Sequence, residues 1–226
     1  MMICNCCGST HFQHQDVLWE ELIVEWRISN YEVDYINQQQ GYHCQNCHSN
    51  LRSNVLALSI MRSYSYQGLF QDFVKEKKKQ DLQVLEVNEA GSLTQFLRQM
   101  PGHQLKMYPE VDMMNMSFAD MTFDLVVHSD VLEHIKYPIR ALSECYRILK
   151  PGGYCAFTVP MIIERLTNSR QGMPPSYHGS GDNKEDYLVY TEYGSDAWKQ
   201  VIQAGFQECR IFSINYPAAQ ALVAVK

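Results

Sequence analysis

Apolar residues in the second half of the chain form continuous runs that alternate with amphipathic segments. Residues 82–87, 123–127 and 154–159 are mainly apolar, which is typical of parallel strands covered on both faces. The segments 93–100 and 139–149 follow the first two runs and carry apolar residues at helical spacing. Strands that alternate with helices in this way predict a doubly wound α/β sheet.

The first 80 residues show two other patterns. Residues 17–33, VLWEELIVEWRISNYEV, alternate apolar and charged positions, which predicts the strands of a small sheet. Residues 53–79 carry apolar residues at helical spacing and reach a run of lysines, which predicts a linker helix with a solvated end. We therefore expect a small lobe at 1–60, a linker helix at 61–80 and a main domain at 81–226.

The segment VLEVNEAGSLTQFL, at 84–97, has the order of a strand, a tight turn and a helix. Ser92 and Gln95 have the spacing of a capping box, and the turn holds Ala90 and Gly91 in place of a run of glycines. A dinucleotide needs those glycines because its pyrophosphate approaches the backbone closely. S-adenosylmethionine has no phosphate, so the reduced turn favours S-adenosylmethionine over a dinucleotide.

Composition and charge limit the classes of protein. The chain has 226 residues, of which 46% are hydrophobic, enough for one main core and a small appendage. A net charge of -6 disfavours nucleic acid as a partner, since phosphate-binding surfaces are basic. The opening residues lack a secretory pattern and no apolar run has the length of a membrane span, which predicts a cytoplasmic protein without membrane contact. The oligomeric state stays open.

Five of the eight cysteines are clustered near the start of the chain, and they form two C-x-x-C knuckles. Cys4 and Cys7 form the first knuckle and Cys44 and Cys47 the second, and four thiolates suit a tetrahedral Zn²⁺ ion. We expect a zinc-ribbon-like lobe with a structural zinc at these four residues, and we expect Cys6 to point away from it. The alternatives are a register that uses Cys6, histidine ligands at 11, 43 or 48, and reduced cysteines in a β-rich lobe.

A series of motifs follows in a fixed order from Asp112 onward. FAD at 118–120, FD at 123–124, DVLEH at 130–134 and LKPGG at 149–153 come in turn. The series resembles the central half of class I S-adenosylmethionine-dependent methyltransferases of the small-molecule, methyltransferase type 11-like group, over about residues 82–226. The resemblance implies an enzyme with a Rossmann-like, seven-stranded doubly wound sheet that ends in an antiparallel strand pair.

The chain departs from that family between its first strand and Asp112. The stretch after Gln104 is too short for the usual second strand, helix and third strand, so the acid that binds the cofactor ribose is not defined. Glu110 is a candidate for that acid.

The resemblance also implies where the cofactor binds. Ala90 and Gly91 are expected beside its methionine part, Asp112 and Met113 beside its adenine, and Glu86 is expected to orient the turn. The full candidate set is Glu86, Asn88, Ala90, Gly91, Tyr108, Asp112, Met113, Ser129, Asp130 and Val131. Each role has a structural alternative, because either acid could cap a neighbouring turn and Met113 could be a core residue.

Methyl transfer to an oxygen needs a base, and His134 and His178 are the candidates. Holding a helix start in place is the alternative role for His134, and simple solvation is the alternative for His178. Residues 161–192 are expected to form a loop over the substrate, in which Arg165 and Arg170 could pair with a carboxylate or phosphate or simply lie at the surface.

The sequence favours a small-molecule acceptor, such as a sugar or secondary metabolite, with O-methylation as the expected reaction. The chain is acidic, and SDVLEH stands where methyltransferases that act on base nitrogens usually carry Asn-Pro-Pro or Asp-Pro-Pro. An RNA methyltransferase with a zinc lobe and a non-catalytic binding protein are the alternative hypotheses.

Overall fold

A computed structural model describes residues 2–76, 81–178 and 184–226. Its helices are α1 (Glu20–Glu25), α2 (Asn30–Gly41), α3 (Leu51–Ser63), α4 (Phe70–Phe73), α5 (Thr94–Leu97), α6 (Pro138–Ile148) and α7 (Trp198–Gln203). Its strands are β1 (Phe12–Gln13), β2 (His43–Cys44), β3 (Val84–Val87), β4 (His103–Lys106), β5 (Phe123–Ser129), β6 (Leu149–Thr158), β7 (Met161–Ile162), β8 (Asn168–Ser169), β9 (Thr191–Gly194), β10 (Glu208–Ile214) and β11 (Ala219–Val225). Short 3-10 turns lie at Gly91–Leu93, Leu132–His134 and Lys184–Tyr187.

The central sheet has the order β10-β11-β6-β5-β3-β4. β4, β3, β5 and β6 run parallel, whereas β11 is antiparallel to both β6 and β10. This topology confirms the Rossmann-like α/β class and the antiparallel pair at the end. The sheet has six strands in the described part of the chain, one fewer than expected. The chain after β4 reaches β5 through turns alone, which leaves β4 as the edge strand.

Both faces of the sheet are covered, as a doubly wound fold requires. Val84 belongs to one core with Leu56 of α3, and the next residue, Leu85, belongs to a second core with Leu142 of α6 and Val201 of α7. Successive strand residues point to opposite faces, so the mainly apolar strands supply both cores. No helix in the described ranges is long and apolar enough to cross a membrane.

The expected strands at 17–33 are wrong, because this stretch lies mainly in α1 and the start of α2. Leu22 and Trp26 lie four residues apart, and both are buried on one side of α1 and its C-terminal cap. The Ser29 side chain accepts the backbone N–H of Glu32, whose carboxylate accepts the backbone N–H of Ser29 at 2.7 Å. This capping box begins α2. The lobe is therefore mostly helical, and its sheet is limited to β1 and β2.

The expected helix at 53–79 is present as α3 and α4, although α3 begins at Leu51 and the residues 77–80 lie outside the described ranges. The Asn50 side chain accepts the backbone N–H of Ser53 at 2.8 Å and caps α3. Leu56 and Ile60 of α3 are fully buried, and the helix packs against β6, β10 and β11. Because α3 crosses the expected boundary at 60, the three-segment division stays a prediction.

Candidate functional site

Glu86 organises the turn that follows β3. Its side chain is fully buried, and it accepts the backbone N–H of Ala90 at 2.7 Å and the Thr94 hydroxyl at 2.5 Å. The second carboxylate oxygen lies 2.6 Å from Nε2 of His103 on β4. Glu86 thus holds the turn to the following helix and to the neighbouring strand, and its expected role at a cofactor stays a prediction.

The turn itself has two residues in the left-handed region. Asn88 has φ 54°, and its side chain accepts the backbone N–H of Tyr108 at 3.0 Å. Gly91 has φ 57°, and a Cβ added there would lie 3.1 Å from the Ser53 hydroxyl. The Glu89 side chain instead extends to Arg98, at 3.3 Å. Glycine and asparagine are the residues that adopt this backbone most readily, so the sequence fits the turn without the usual glycine run.

Strand register brings the three expected cofactor loops to one edge of the sheet. Val87 pairs with Lys106 and Glu86 pairs with Val127, so Asn88 lies level with Met107 and with Ser129. These are the carboxyl ends of parallel strands, where α/β sheets bind ligands.

The expected adenine residues have mainly structural contacts. The Asp112 carboxylate accepts the backbone N–H of Met114 at 2.8 Å, and Met113 is 3% exposed in the second core. Tyr108 is 57% exposed, and Glu110 is exposed and forms an ion pair with Lys106. These contacts agree with the alternative roles, in which Asp112 caps a neighbouring turn and Met113 is a core residue.

The loop after β5 connects the sheet edge to the N-terminal lobe. The Ser129 hydroxyl lies 2.7 Å from that of Thr158, and Val131 is buried. Asp130 has φ 55° and forms an ion pair with Arg52 of α3, which is 2% exposed. Arg52 also donates to the Gln39 side chain at 2.7 Å. Sequence analysis did not identify Arg52, and its contact with Asp130 joins residues 78 positions apart.

The four cysteines of the two knuckles meet as expected. Their sulfur atoms all lie within 4.8 Å of one another, with Cys4 and Cys47 at 3.6 Å and Cys7 and Cys44 at 3.6 Å. Four thiol ligands in two C-x-x-C turns form a donor set that suits a tetrahedral soft metal ion such as Zn²⁺. The cluster in the described residues includes no histidine.

Cys6 does not point away from the cluster, which corrects the expectation. Its thiol is fully buried, and hydrogen bonds with Cys4 and Cys47, together with burial, raise its pKa well above the usual value. A fifth sulfur therefore lies beside the four, although it is not a member of the cluster.

The second knuckle is in direct contact with the segment after the cofactor turn. The Ser92 hydroxyl donates to that of Ser49 at 2.8 Å, and the Gln95 side chain donates to the Cys47 carbonyl at 2.9 Å. These contacts replace the expected capping box, since Gln95 donates to the Ser92 carbonyl and a 3-10 turn begins the helix. The four-cysteine cluster and the turn after β3 are thus parts of one packed unit.

A cavity of about 460 Å³ lies beside the loop after β5. One wall comes from α1 and α2, with Leu22, Trp26 and Ile36, and the opposite wall includes Met161 of β7. Both expected bases, His134 and His178, line this cavity. Of the ten expected cofactor residues, Asp130 lines the cavity and the other nine do not. The expected site residues therefore form two neighbouring groups, one at the sheet edge and one in the cavity.

Burial keeps both histidines in the neutral form. His134 has Nδ1 at 3.2 Å from the Leu188 carbonyl, and burial lowers its pKa. The His178 ring packs on Trp26 at 4.5 Å, and burial lowers its pKa to about 4. A neutral imidazole is the form that accepts a proton, so both residues are in the state that a base requires near neutral pH.

Glu133 also lines the cavity, and sequence analysis did not identify it. Its side chain is 2% exposed, and burial, together with the charge of Asp130, raises its pKa well above the usual range. Its position within DVLEH was the available signal, but Asp130 and His134 received the functional roles instead.

Arg165 and Arg170 pair with carboxylates of this chain, whereas the sequence left open a pairing with a substrate carboxylate or phosphate and a simple position at the surface. Arg165 pairs with Glu32 at 2.7 Å and donates to the Trp26 carbonyl at 2.8 Å. Arg170 pairs with Glu192 and contacts Glu25 at 3.3 Å. Both arginines therefore fix residues 161–178 against α1 and α2.

The pairing of Arg165 with Glu32 predicts a pH-dependent stability. The arginine, with hydrogen bonds at Ser29, lowers the pKa of Glu32 to about 2. Ionised Glu32 thus stabilises the fold fully above its ordinary pKa, and this contribution is lost as pH falls toward 2. We expect Glu32→Gln to lower the free energy of unfolding by about 2 kcal/mol at pH 7.

Urea unfolding at several pH values measures this difference. The difference in the free energy of unfolding between the wild-type chain and Glu32→Gln should become smaller as pH falls from about 6 to 3. Glu21→Gln, at an exposed position of α1, is the matched control and should have little effect. A gap that stays constant with pH would contradict the proposed role of the ion pair.

Comparison with known proteins supports the resemblance. Residues 72–157 match the sequence profile of the methyltransferase domain family Methyltransf_11. A stretch of 63 residues is 35% identical to a probable S-adenosylmethionine-dependent methyltransferase of Mycolicibacterium smegmatis, and it covers 26% of this chain and 24% of that protein. The match therefore spans about a quarter of that relative's length.

Two solved structures align with part of this chain. A possible histamine N-methyltransferase of Thermotoga maritima matches at 14% identity and a TM-score of 0.43, over 70% of this chain and 98% of that one. The [4+2]-cyclase SpnF matches at 19% identity and a TM-score of 0.44, over 77% of this chain and 67% of that one. The sheet topology and the profile match together confirm that this chain resembles S-adenosylmethionine-dependent methyltransferases, with a Rossmann-like fold.

Proposed function

We propose that the protein transfers a methyl group from S-adenosylmethionine to a small-molecule acceptor, with oxygen as the favoured acceptor atom. A sugar or secondary metabolite is the favoured class of acceptor. The observation that carries the proposal is the position of the cavity. It lies against Asp130, at the end of β5, and contains the two candidate bases. A methyl acceptor must lie next to the cofactor edge of the sheet, and this cavity has that position.

The residues of the sheet edge fit S-adenosylmethionine. Gly91 is exposed beside α3, and its missing Cβ lets the turn approach the Ser53 hydroxyl closely. We propose that Asn88, Ala90, Gly91, Tyr108, Asp112, Ser129 and Asp130 contact the cofactor. Glu86 holds the turn, and the buried Met113 and Val131 shape its walls. When bound, the cofactor supplies a methyl group activated by a sulfonium.

The side chains of the cavity perform the remaining steps. Walls from α1 and α2 orient the acceptor and exclude water. His134 or His178 would take the proton from the acceptor hydroxyl, so that its oxygen could accept the methyl group that the bound cofactor would supply. Alignment of oxygen and methyl carbon provides much of the rate in such a displacement.

We also propose that the four-cysteine cluster holds a structural Zn²⁺ ion. All four positions of a tetrahedral site are filled by protein sulfurs, which leaves none open for a substrate. Residues 1–60 form the lobe around this ion, 61–80 link it to the sheet and 81–226 form the methyltransferase domain.

Calorimetric titration with S-adenosylhomocysteine, the demethylated product, tests the cofactor site. Gly91→Ala should weaken binding roughly tenfold, because its Cβ would lie 3.1 Å from the Ser53 hydroxyl and its φ of 57° is unfavourable for alanine, so the turn would shift. Gly152→Ala is the matched control, since Gly152 has φ 76° with no atom within 4 Å of an added Cβ. This control variant should lower the stability of the fold and leave the affinity for S-adenosylhomocysteine unchanged.

Two outcomes would overturn the proposal. No heat with the wild-type chain at high micromolar ligand would favour a non-catalytic binding protein. Salt-dependent binding of RNA would favour an RNA methyltransferase over a small-molecule enzyme.

A further inference from the structure

The cavity beside the loop after β5 concentrates buried polar atoms that lack partners. Nε of Arg52, Oε2 of Glu133 and Nε2 of His178 are each buried without a hydrogen bond to any described residue. All three residues line this one cavity. A buried polar atom without a partner costs about 1–3 kcal/mol, so native proteins keep such atoms where something else satisfies them. This concentration indicates a binding site for the polar part of a ligand.

The rest of the cavity wall is apolar and partly aromatic. Leu22 and Trp26 of the α1 region, Ile36 of α2, and Met161 and Ile162 of β7 all line it. A volume of about 460 Å³ lies in the range of small-molecule sites. The ligand that fits these walls has an apolar body of one or two rings.

The charges of the cavity compensate one another. Arg52 forms an ion pair with Asp130, so these two partners together add no net charge to the cavity. Burial favours the neutral forms of the other groups, because it raises the pKa of Glu133 and lowers the pKa of both His134 and His178. An anionic or cationic ligand would enter this space without a compensating partner, which costs more than the entry of a neutral one.

We propose that the cavity binds a neutral ring compound with one hydroxyl group, and that Glu133 and His178 form hydrogen bonds with this hydroxyl. The hydroxyl offers one donor and two acceptor sites, which suits Nε2 of His178 and Oε2 of Glu133 together. The inference rests on the proposed function in one respect, since the bound compound is taken to be the methyl acceptor. In this proposal Glu133 binds the acceptor, and its hydrogen bond makes the cavity selective for a neutral hydroxyl group.

Three matched probes test the proposal by calorimetric titration into the full chain. The probes are 2-naphthol, naphthalene and 2-naphthoate, which share one ring body and differ in the polar group. We expect 2-naphthol to bind roughly tenfold more tightly than either of the others, as one hydrogen bond would provide. Tighter binding of 2-naphthoate, equal binding of all three, or no binding of any would overturn the proposal.

Variants assign the preference to named residues. In Glu133→Leu and in His178→Phe, the preference for 2-naphthol over naphthalene should fall to about twofold or less. Glu133→Gln should retain it, because the amide can still hydrogen-bond the hydroxyl, whereas a purely structural role predicts no such rescue. Glu208→Leu, at an exposed position of β10, is the control and should bind as the wild-type chain does. If a folded Glu133→Leu or His178→Phe chain kept the roughly tenfold preference for 2-naphthol over naphthalene, the hydrogen bond assigned to that residue would be wrong.

The same samples separate this inference from the proposed function. Binding of S-adenosylhomocysteine without a preference for 2-naphthol would overturn the acceptor class and leave methyl transfer standing. A preference for 2-naphthol without binding of S-adenosylhomocysteine would support the cavity and overturn the proposed transfer.

Discussion

Replacement of Glu86 by leucine is expected to destabilise the chain by about 3 kcal/mol and to weaken the binding of S-adenosylhomocysteine by at least roughly tenfold. The buried carboxylate accepts from Ala90 and Thr94 and hydrogen-bonds His103, so its loss leaves three polar groups without this partner. Without them the turn loses its connection to β4 and to the following helix. Thermal unfolding and calorimetric titration measure the two effects.

Two companion variants identify the cause. Glu86→Gln keeps an oxygen for Ala90 and Thr94 and can donate to a neutral His103, so it should lose less than half as much stability as the leucine variant. Glu89→Leu changes an exposed residue of the same turn and should shift the free energy of unfolding by about 0.5 kcal/mol or less. Equal losses in Glu86→Leu and Glu89→Leu would show that Glu86 does not organise the turn.

Removal of one metal ligand is expected to affect both the lobe and the cofactor turn. Cys44→Ser should reduce bound zinc from about one ion per chain to a small fraction and should destabilise the protein by several kcal/mol, since binding of a structural zinc is coupled to folding. The second knuckle contacts Ser92 and Gln95, so the affinity for S-adenosylhomocysteine should fall with it. Metal analysis, thermal unfolding and titration of the same samples measure these three quantities.

A cysteine outside the cluster provides the control. Cys209→Ser lies on β10, away from the four sulfurs, and should keep the zinc content and the affinity for the cofactor product. The predicted coupling between the zinc site and the cofactor turn would be wrong if Cys44→Ser lost its zinc but bound S-adenosylhomocysteine as tightly as the wild-type chain does.

Local sequence signals were enough to predict the α/β class of the sheet and the meeting of the four cysteines. The apolar run at Phe123–Ser129 identified the central strand β5 because a buried parallel strand needs apolar residues on both faces. Equal C-x-x-C spacing identified Cys4, Cys7, Cys44 and Cys47 because each turn places two sulfurs together. In both cases the signal lies in residues that are close in sequence, although the two knuckles meet only in the folded chain.

The helical lobe was missed although its signals were present. Alternation at 17–33 suggested strands, but Leu22 and Trp26 also have helical spacing, and Ser29 with Glu32 has the spacing of a capping box. These helix signals outweigh the alternation, because the helices bury one side against the cavity and the core.

The cavity could not be predicted from the sequence, because it depends on contacts between distant segments. Arg52 follows the second knuckle, and nothing local to it indicates a partner at Asp130. The sequence left open a role in ligand binding for Arg165 and Arg170, whereas in the fold they pair with Glu32 and Glu192. Helix α2 and the loop after β5 are far apart in sequence, so no sequence signal connected Gln39 with Glu133.

The tryptophans of the N-terminal lobe make the cavity observable by intrinsic fluorescence. The chain has three tryptophans, and Trp19 and Trp26 line the cavity whereas Trp198 lies on α7. A molecule that displaces water from these two rings should shift the emission maximum of the unlabelled protein to shorter wavelength. Libraries of acceptors with no ultraviolet absorption of their own can therefore be screened on the native chain, before any catalytic assay exists.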